Sequence, residues 1–553
     1  MDNFDKEKLG SHVVDDNMVV TQDRPISKED KDEDKVPCFS SQRWILCYML
    51  FFANFIAYAH RVNLSLAIVC MVRLPPPDNR SMHGQMDNIT LMPAKTVLES
   101  NYSLSQPPKT GESESSPCTE IMSEAENEYE RAEFHWSKSL QSSLLASYFY
   151  GVILTQIPGA WLASRYGGKR VITVYMVITA ACSLLIPVAT RTNVYLTFVL
   201  RILTGLASGP VSPVSVSMAN RWASPAERGR FLSVFMMGFT SGTIVTFLTS
   251  GYLCAYGFDN GWASIFYIYG LITIVFLLLW IYLVTDSPDE HPRITSAEKL
   301  FLQRTAIHSK NITYPTPWRK LFTSRPVLAC MVTHFVHNWS FFTILITLPL
   351  FMKEVLRFNI KENGVLTSMP YVTMTVSMYV TGQIADCLPR KRILSILATR
   401  RALQISAFVG MGFCLLIVGF VTCELRALSV VILCICTIFA AFTFGGLCLS
   451  HMDFAGPFAG TAFAITNAIG HIPGMIAPQV AGFLTPKGSP EEWRNVFFVA
   501  VALLLIGALM FGMFSSATTQ SWARIEVYDP NVIVELVEQN NVRGKSVNCE
   551  NTG

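Results

Sequence analysis

Apolar stretches of about 20 residues, the length a helix needs to cross a hydrocarbon layer about 30 Å thick, recur along this chain of 553 residues. No other feature restricts the fold as strongly. Inside a bilayer every backbone N–H and C=O must be satisfied within the segment, so successive apolar runs of this length become helices. The runs fall near 44–72, 139–162, 171–189, 194–219, 231–256 and 262–284, and after a polar stretch near 327–352, 365–385, 393–423, 428–450, 460–483 and 496–514. They predict an all-α membrane protein with about 12 transmembrane helices in two six-helix halves, residues 43–285 and 327–516. Apolar residues at 51%, charged residues at 15% and a mean hydropathy of +0.36 exclude a soluble enzyme of this length.

Basic residues in the short connections set the orientation. Arg165, Lys169, Arg170, Arg221, Arg228, Arg230, Arg390, Lys391 and Arg392 cluster on one side, whereas Lys353, Arg357 and Lys361 are the one dissenting group on the other. The positive-inside rule then places both termini and the central connection in the cytosol. Residues 1–42, with eleven acidic and six basic side chains and few aromatics, predict a disordered cytosolic tail; residues 517–553 predict a second one. The polar run before the first apolar stretch argues against a cleaved leader. Residues 74–137 form a long exoplasmic loop whose sequons at Asn79, Asn88 and Asn101 are accessible to glycosylation; those at Asn63, Asn311 and Asn338 fall in spans or on the cytosolic side. The linker 286–326 contains Thr295-Ser-Ala-Glu298, a capping-box pattern that starts a short helix. The 14 cysteines read as small core residues, and no pairing is assigned to Cys118 in the long loop. A net charge of +3 makes no case for nucleic acid; the partners expected are a small anionic solute and the bilayer, and protein partners are not legible.

Within this frame, charge inside the spans marks function. Arg61 sits in the first span with roughly 16 Å of apolar helix still to follow, too deep to snorkel easily, and intramembrane ionisable groups usually face a protein interior or a water-filled cavity. Asn54, Tyr58, Arg61 and Ser65 share one helix face. On the fourth span Arg201, Thr204, Gly205, Ser208, Ser212 and Ser215 recur every three or four residues. This stripe suits a groove for an anion, although small-residue faces also serve helix packing and Arg201 is near enough to an end to snorkel. A guanidinium matches carboxylate or phosphate bidentately and keeps its charge. The expected substrate contacts are therefore Arg61, Arg201, Tyr58, Thr204, Ser208 and His337. The seventh span also holds His334 and Asn338, and the eleventh Asn467 and His471. A lone histidine in a span is more often a packing residue, and no third ligand supports a metal. No cofactor and no catalytic constellation are expected.

The second and eighth spans end in related turns, Ala160-Trp-Leu-Ala-Ser164-Arg165-Tyr-Gly-Gly-Lys169-Arg170 and Gly382-Gln-Ile-Ala-Asp386-Cys-Leu-Pro-Arg390-Lys391-Arg392. This repeat resembles the signature loop of major facilitator transporters and makes Asp386, Arg165 and Arg390 candidates for a conformational latch. Ser164 replaces the acid in the first copy. Further stretches resemble the anion transporters of solute carrier family 17: Arg61-Val-Asn-Leu-Ser, Tyr150-Gly-Val-Ile-Leu-Thr-Gln-Ile-Pro-Gly159, Trp222-Ala-Ser-Pro-Ala-Glu-Arg228, Phe358-Asn-Ile-Lys-Glu-Asn-Gly364 and His451-Met-Asp453. The resemblance implies coupled anion transport by alternating access, driven by sodium or protons, in the plasma membrane or a vesicular or lysosomal membrane. It matches Arg61 and Arg201 to the family's pocket arginines. Thr204 and Ser208 stand where sialin-like members carry fourth-span glutamates, and Val216 where they carry a histidine, which sets this chain apart from that proton route. An anion-conducting channel is the alternative that the same arginines allow.

Overall fold

The computed structural model describes residues 41–73, 132–224, 227–307 and 316–524. The three candidate sequons, Cys118 and most of both tails lie outside these residues. The first half comprises α1 (Gln42–Met71), α2 (Lys138–Tyr166), α3 (Gly168–Thr192), α4 (Val194–Ser208), α5 (Val211–Trp222), α6 (Arg228–Tyr256) and α7 (Trp262–Leu283). Gly209 and Pro210 break the fourth crossing into α4 and α5; a proline there supplies no N–H to the ladder. Two short linker helices, α8 (Ser296–Ile307) and α9 (Trp318–Thr323), lead to α10 (Arg325–Glu354), α11 (Ile360–Arg390), α12 (Ile396–Val418) and α13 (Arg426–Thr443). A π-turn, Phe444–Cys448, then continues the tenth crossing into α14 (Leu449–Ala455), and the eleventh and twelfth are α15 (Ala459–Gly470) with α16 (Ile472–Leu484), and α17 (Pro490–Phe514).

Nine helical stretches among the described residues are apolar and long enough to cross a membrane; one of them, Cys423–Leu484, spans 62 residues and makes two crossings. Lys138–Tyr166 and Ile360–Arg390 have crossing length but carry more polar residues, so the crossings number twelve among the described residues. Both of these helices flank the centre. The halves meet where α1 packs on α10, α2 on α16 and α6 on α11. Gly251 and Gly364 bring the last pair so close that a Cβ added at Gly251 would lie 2.8 Å from the Gly364 Cα.

The helix ends explain much of the local order. Gly167, at φ 89°, turns the chain between α2 and α3, a backbone state that glycine tolerates. Asp286 then accepts the Lys169 N–H at 2.7 Å and completes the α3 N-terminus. At the same basic face, Glu298 departs from its expected role. Its own N–H donates to the Thr295 hydroxyl at 3.3 Å, but its carboxylate accepts Gln42 N–H at 3.1 Å and Arg43 N–H at 2.9 Å, capping α1 instead of closing a box on its own helix. Arg43, 2% exposed, also holds Glu227 at 3.0 Å. The linker helix is thereby docked beneath the first half by buried charge.

At the opposite face Lys353 of α10 donates to the carbonyls of Val69 at 2.6 Å and Val72 at 3.0 Å, the free C-terminal acceptors of α1. Beside it Glu354 pairs with Lys138 of α2 and accepts the Trp493 indole N–H. The opposite face is therefore closed between the halves. The cysteine expectation needs a correction here: Cys70 and Cys254 form a disulfide between the ends of α1 and α6, with Cα atoms 6.2 Å apart, a separation that suits the bond.

Candidate functional site

Between the halves, inside the membrane-spanning helix α1, Arg61 lies in an aromatic cradle. Its guanidinium carbon is 4.2 Å from the Tyr58 ring centre, 5.4 Å from Tyr148 and 5.5 Å from Phe149. Tyr58 is in turn fixed against Phe239, with ring centres 4.7 Å apart. The nitrogens Nε and Nη1 of Arg61 are buried and have no hydrogen-bond acceptor. Stacking on aromatic faces returns about 0.5–2 kcal/mol for a desolvated cation, whereas a buried unsatisfied donor costs about 1–3 kcal/mol and more when charged. The balance favours an anion that supplies the missing acceptors.

Arg201 is different, although its guanidinium carbon also lies over Tyr148, at 5.2 Å. It is 1% exposed and donates to His60 O at 2.7 Å, Asn63 Oδ1 at 3.3 Å and Arg61 O at 3.3 Å. These bonds brace α4 against the α1 turn that carries Arg61. Thr204 and Ser208 are buried and donate to Leu200 O and Gly205 O of their own helix. The stripe they belong to packs: a Cβ at Gly205 would stand 1.9 Å from the Tyr148 carbonyl oxygen of α2. Spacing put these hydroxyls and Arg201 on one face correctly, but that face meets α1 and α2 instead of lining a groove. Asn54, from the first-span face, bonds Ser215 at 3.1 Å.

From the second half, His337 is buried, bonded to Thr443 at 3.1 Å and stacked on Phe341. His471 lies within electrostatic reach of Arg61, and Phe342 joins the two sides by packing on both Phe149, at 4.8 Å, and His471, at 6.0 Å. Gln479 of α16 donates to the Tyr150 hydroxyl of α2 across the same boundary. The aromatic residues Tyr148, Phe149 and Phe342 were missed in the sequence because aromatics in an apolar helix look like core. Asp386, Arg165 and Arg390 are all exposed at the basic face. Among the described residues Asp386 has no hydrogen bond or ion pair, so the latch candidates are not brought together in this conformation; the pairs held at this face include Arg43 with Glu227 and Glu298, and Arg400–Asp453, the last at 2.8 Å.

Two helical halves joined at one face, with an unsatisfied cation held at the boundary between them, have the arrangement of a carrier. The Major Facilitator Superfamily model matches residues 50–478, and the chain belongs to that superfamily of membrane transporters. The fold is similar to that of a D-xylose–proton symporter (TM-score 0.60, 14% identity, covering 86% of this chain and 99% of that one). It is likewise similar to a bacterial homologue of the human lysosomal transporter Spinster (TM-score 0.60, 11% identity, 86% and 97%). Within the superfamily the chain belongs to the family of sialin and the vesicular glutamate transporters. It is 36% identical to human sialin over 88% of this chain and 92% of sialin, and 33% identical to human vesicular glutamate transporter 2 over 71% and 68%.

Proposed function

We propose that this protein carries an organic carboxylate anion across a vesicular or lysosomal membrane by alternating access, with Arg61 as its principal anion contact. One observation carries the reading: a guanidinium inside a membrane-spanning helix that keeps two buried nitrogens without acceptors at the boundary of the two helical halves. A carboxylate offers two coplanar oxygens to such a fork, and the names sialin and vesicular glutamate transporter belong to carriers of carboxylates. Tyr58, Tyr148 and Phe149 shape the cavity around the anion, His337 and His471 face it from the second half, and Arg201 positions α1. The basic turns favour cytosolic termini. Asp386, with Arg165 and Arg390, engages when the basic face closes.

The test is uptake into proteoliposomes of purified full-length protein, with phosphate, urate, glutamate and sialate as probes and with sodium and proton gradients applied separately. Saturable counterflow of glutamate or sialate is expected. Counterflow confined to phosphate would overturn the carboxylate assignment, and current without saturation or exchange would overturn the carrier.

A further inference from the structure

Every Asp and Glu in the twelve crossings sits within about a turn of a helix end, so the side chains of the membrane interior whose ordinary range lies near neutral pH are histidines. Two of them share one hydroxyl. His334 Nδ1 of α10 lies 3.1 Å from Thr466 Oγ1 of α15, and His451 Nε2 of α14 lies 2.9 Å from the same oxygen. The roles follow from the partners. His451 Nδ1 is 2.9 Å from Leu447 O, a carbonyl that only accepts, so Nδ1 carries the proton and Nε2 of the neutral ring is an acceptor. Thr466 therefore donates to His451, and His334 donates to Thr466. Thr466 also has a second acceptor in reach, Phe463 O at 3.1 Å.

We infer that His334, Thr466 and His451 form a proton-binding site in the second half, and that its occupancy is coupled to the anion at Arg61. The proton enters as an N–H bond at His451 Nε2, which then donates to Thr466; the Thr466 hydroxyl turns to Phe463 O, and no bonded hydrogen is left without an acceptor. The site gains one positive charge and nothing is oxidised or reduced. Both rings are walled by Phe463, at 5.6 and 5.4 Å. An imidazolium in such surroundings is costly unless a negative charge is near. The facing charges are few: His337 and His471 lie within electrostatic reach of His334, Arg400 is neutralised by Asp453, and Arg61 lies within electrostatic reach of His471. The acids and bases of α11 and α17 are at those helices' ends. An anion on Arg61 adds the missing negative charge, and by reciprocity the proton strengthens anion binding. Motion is coupled because α10, which carries His334, packs on α1 across the boundary.

This inference rests on the carrier reading, and the experiment separates the two. Proteoliposomes receive wild type, His334→Asn, His451→Gln, Thr466→Val and the control Thr466→Ser; sialate and glutamate are the probes. Counterflow at equal pH reads the carrier alone, and accumulation against an imposed pH difference reads the coupling. One pH unit corresponds to about a tenfold anion gradient per coupled proton. Wild type and Thr466→Ser are expected to accumulate, whereas the other three lose the pH-driven gradient and keep counterflow within about twofold, which corresponds to about 0.4 kcal/mol. Thr466→Val keeps the side-chain shape should a histidine variant fold poorly. Equal pH-driven accumulation in wild type and Thr466→Val overturns the inference and leaves the carrier standing; loss of counterflow in Thr466→Val also overturns it, as the network is then structural. Wild type without counterflow overturns both.

Discussion

At the residue scale the two pocket arginines separate by what their nitrogens touch. Arg61 keeps Nε and Nη1 free over aromatic rings, whereas Arg201 gives both terminal nitrogens to three oxygens of α1 and leaves only Nε without a partner. Arg61→Lys keeps the charge but loses the planar fork, and a charged hydrogen bond is worth about 1.5–3 kcal/mol, so uptake affinity falls by roughly 10- to 100-fold with thermal stability unchanged. Arg201→Met removes a brace and leaves carbonyl oxygens bare; it is expected to cost about 2–4 kcal/mol of stability, read as a lower melting temperature in detergent alongside impaired uptake. A third arginine, Arg191 in the last turn of α3, grips Glu133 at 2.9 Å and Asp259 at 2.7 Å on the opposite face. Its hydrogen bonds hold both carboxyls below their ordinary values. A lowered carboxylate pKa contributes stability that is complete above the unfolded value and is lost as pH falls through the folded one. The cluster therefore stays ionised near pH ~5. Arg191→Gln is expected to lower the melting temperature equally at pH ~7 and ~5, and the difference from wild type vanishes only at more acidic pH.

At the element scale, helix existence was legible because hydropathy and length are local properties, whereas the roles of faces were not. The fourth-span stripe has the period of a helix face, yet period alone does not say whether that face meets water or another helix. Gly205 decides it by allowing the Tyr148 carbonyl of α2 into contact. Gly205→Val is expected to force α2 and α4 apart at a cost of about 1–3 kcal/mol or more, measured as reduced abundance and melting temperature, and to reduce uptake because Tyr148 moves from beneath Arg61. Thr295-Ser-Ala-Glu298 shows the same limit. It marked a helix start correctly, but the carboxylate went to α1, whose free N–H groups at Gln42 and Arg43 lie more than 250 positions away.

At the scale of the whole molecule, the conformation is set by which face is joined. Lys353 on the α1 carbonyls, Glu354 with Lys138, and the Gly251–Gly364 crossing close the opposite face, while Asp386, Arg165 and Arg390 remain exposed. Lys353→Met is expected to weaken that closure and shift the population toward opening there; a cysteine placed at Ser142 of α2 would then react faster with a membrane-impermeant maleimide by about tenfold if the closure is weakened by about 1.4 kcal/mol. An unchanged rate would show that the other contacts suffice. Twelve crossings in two halves, the asymmetry of basic turns and the presence of an arginine in need of a reason were determined by the sequence alone, because chain composition over 20 residues decides membrane insertion. The bridge from Cys70 to Cys254 across 184 positions, the docking of Glu298, the contrast between Arg61 and Arg201, and the hydroxyl shared by His334 and His451 were decided only by tertiary structure. Each depends on helix azimuth and on partners remote in sequence, and these are fixed by packing between helices and not by any one helix's own pattern.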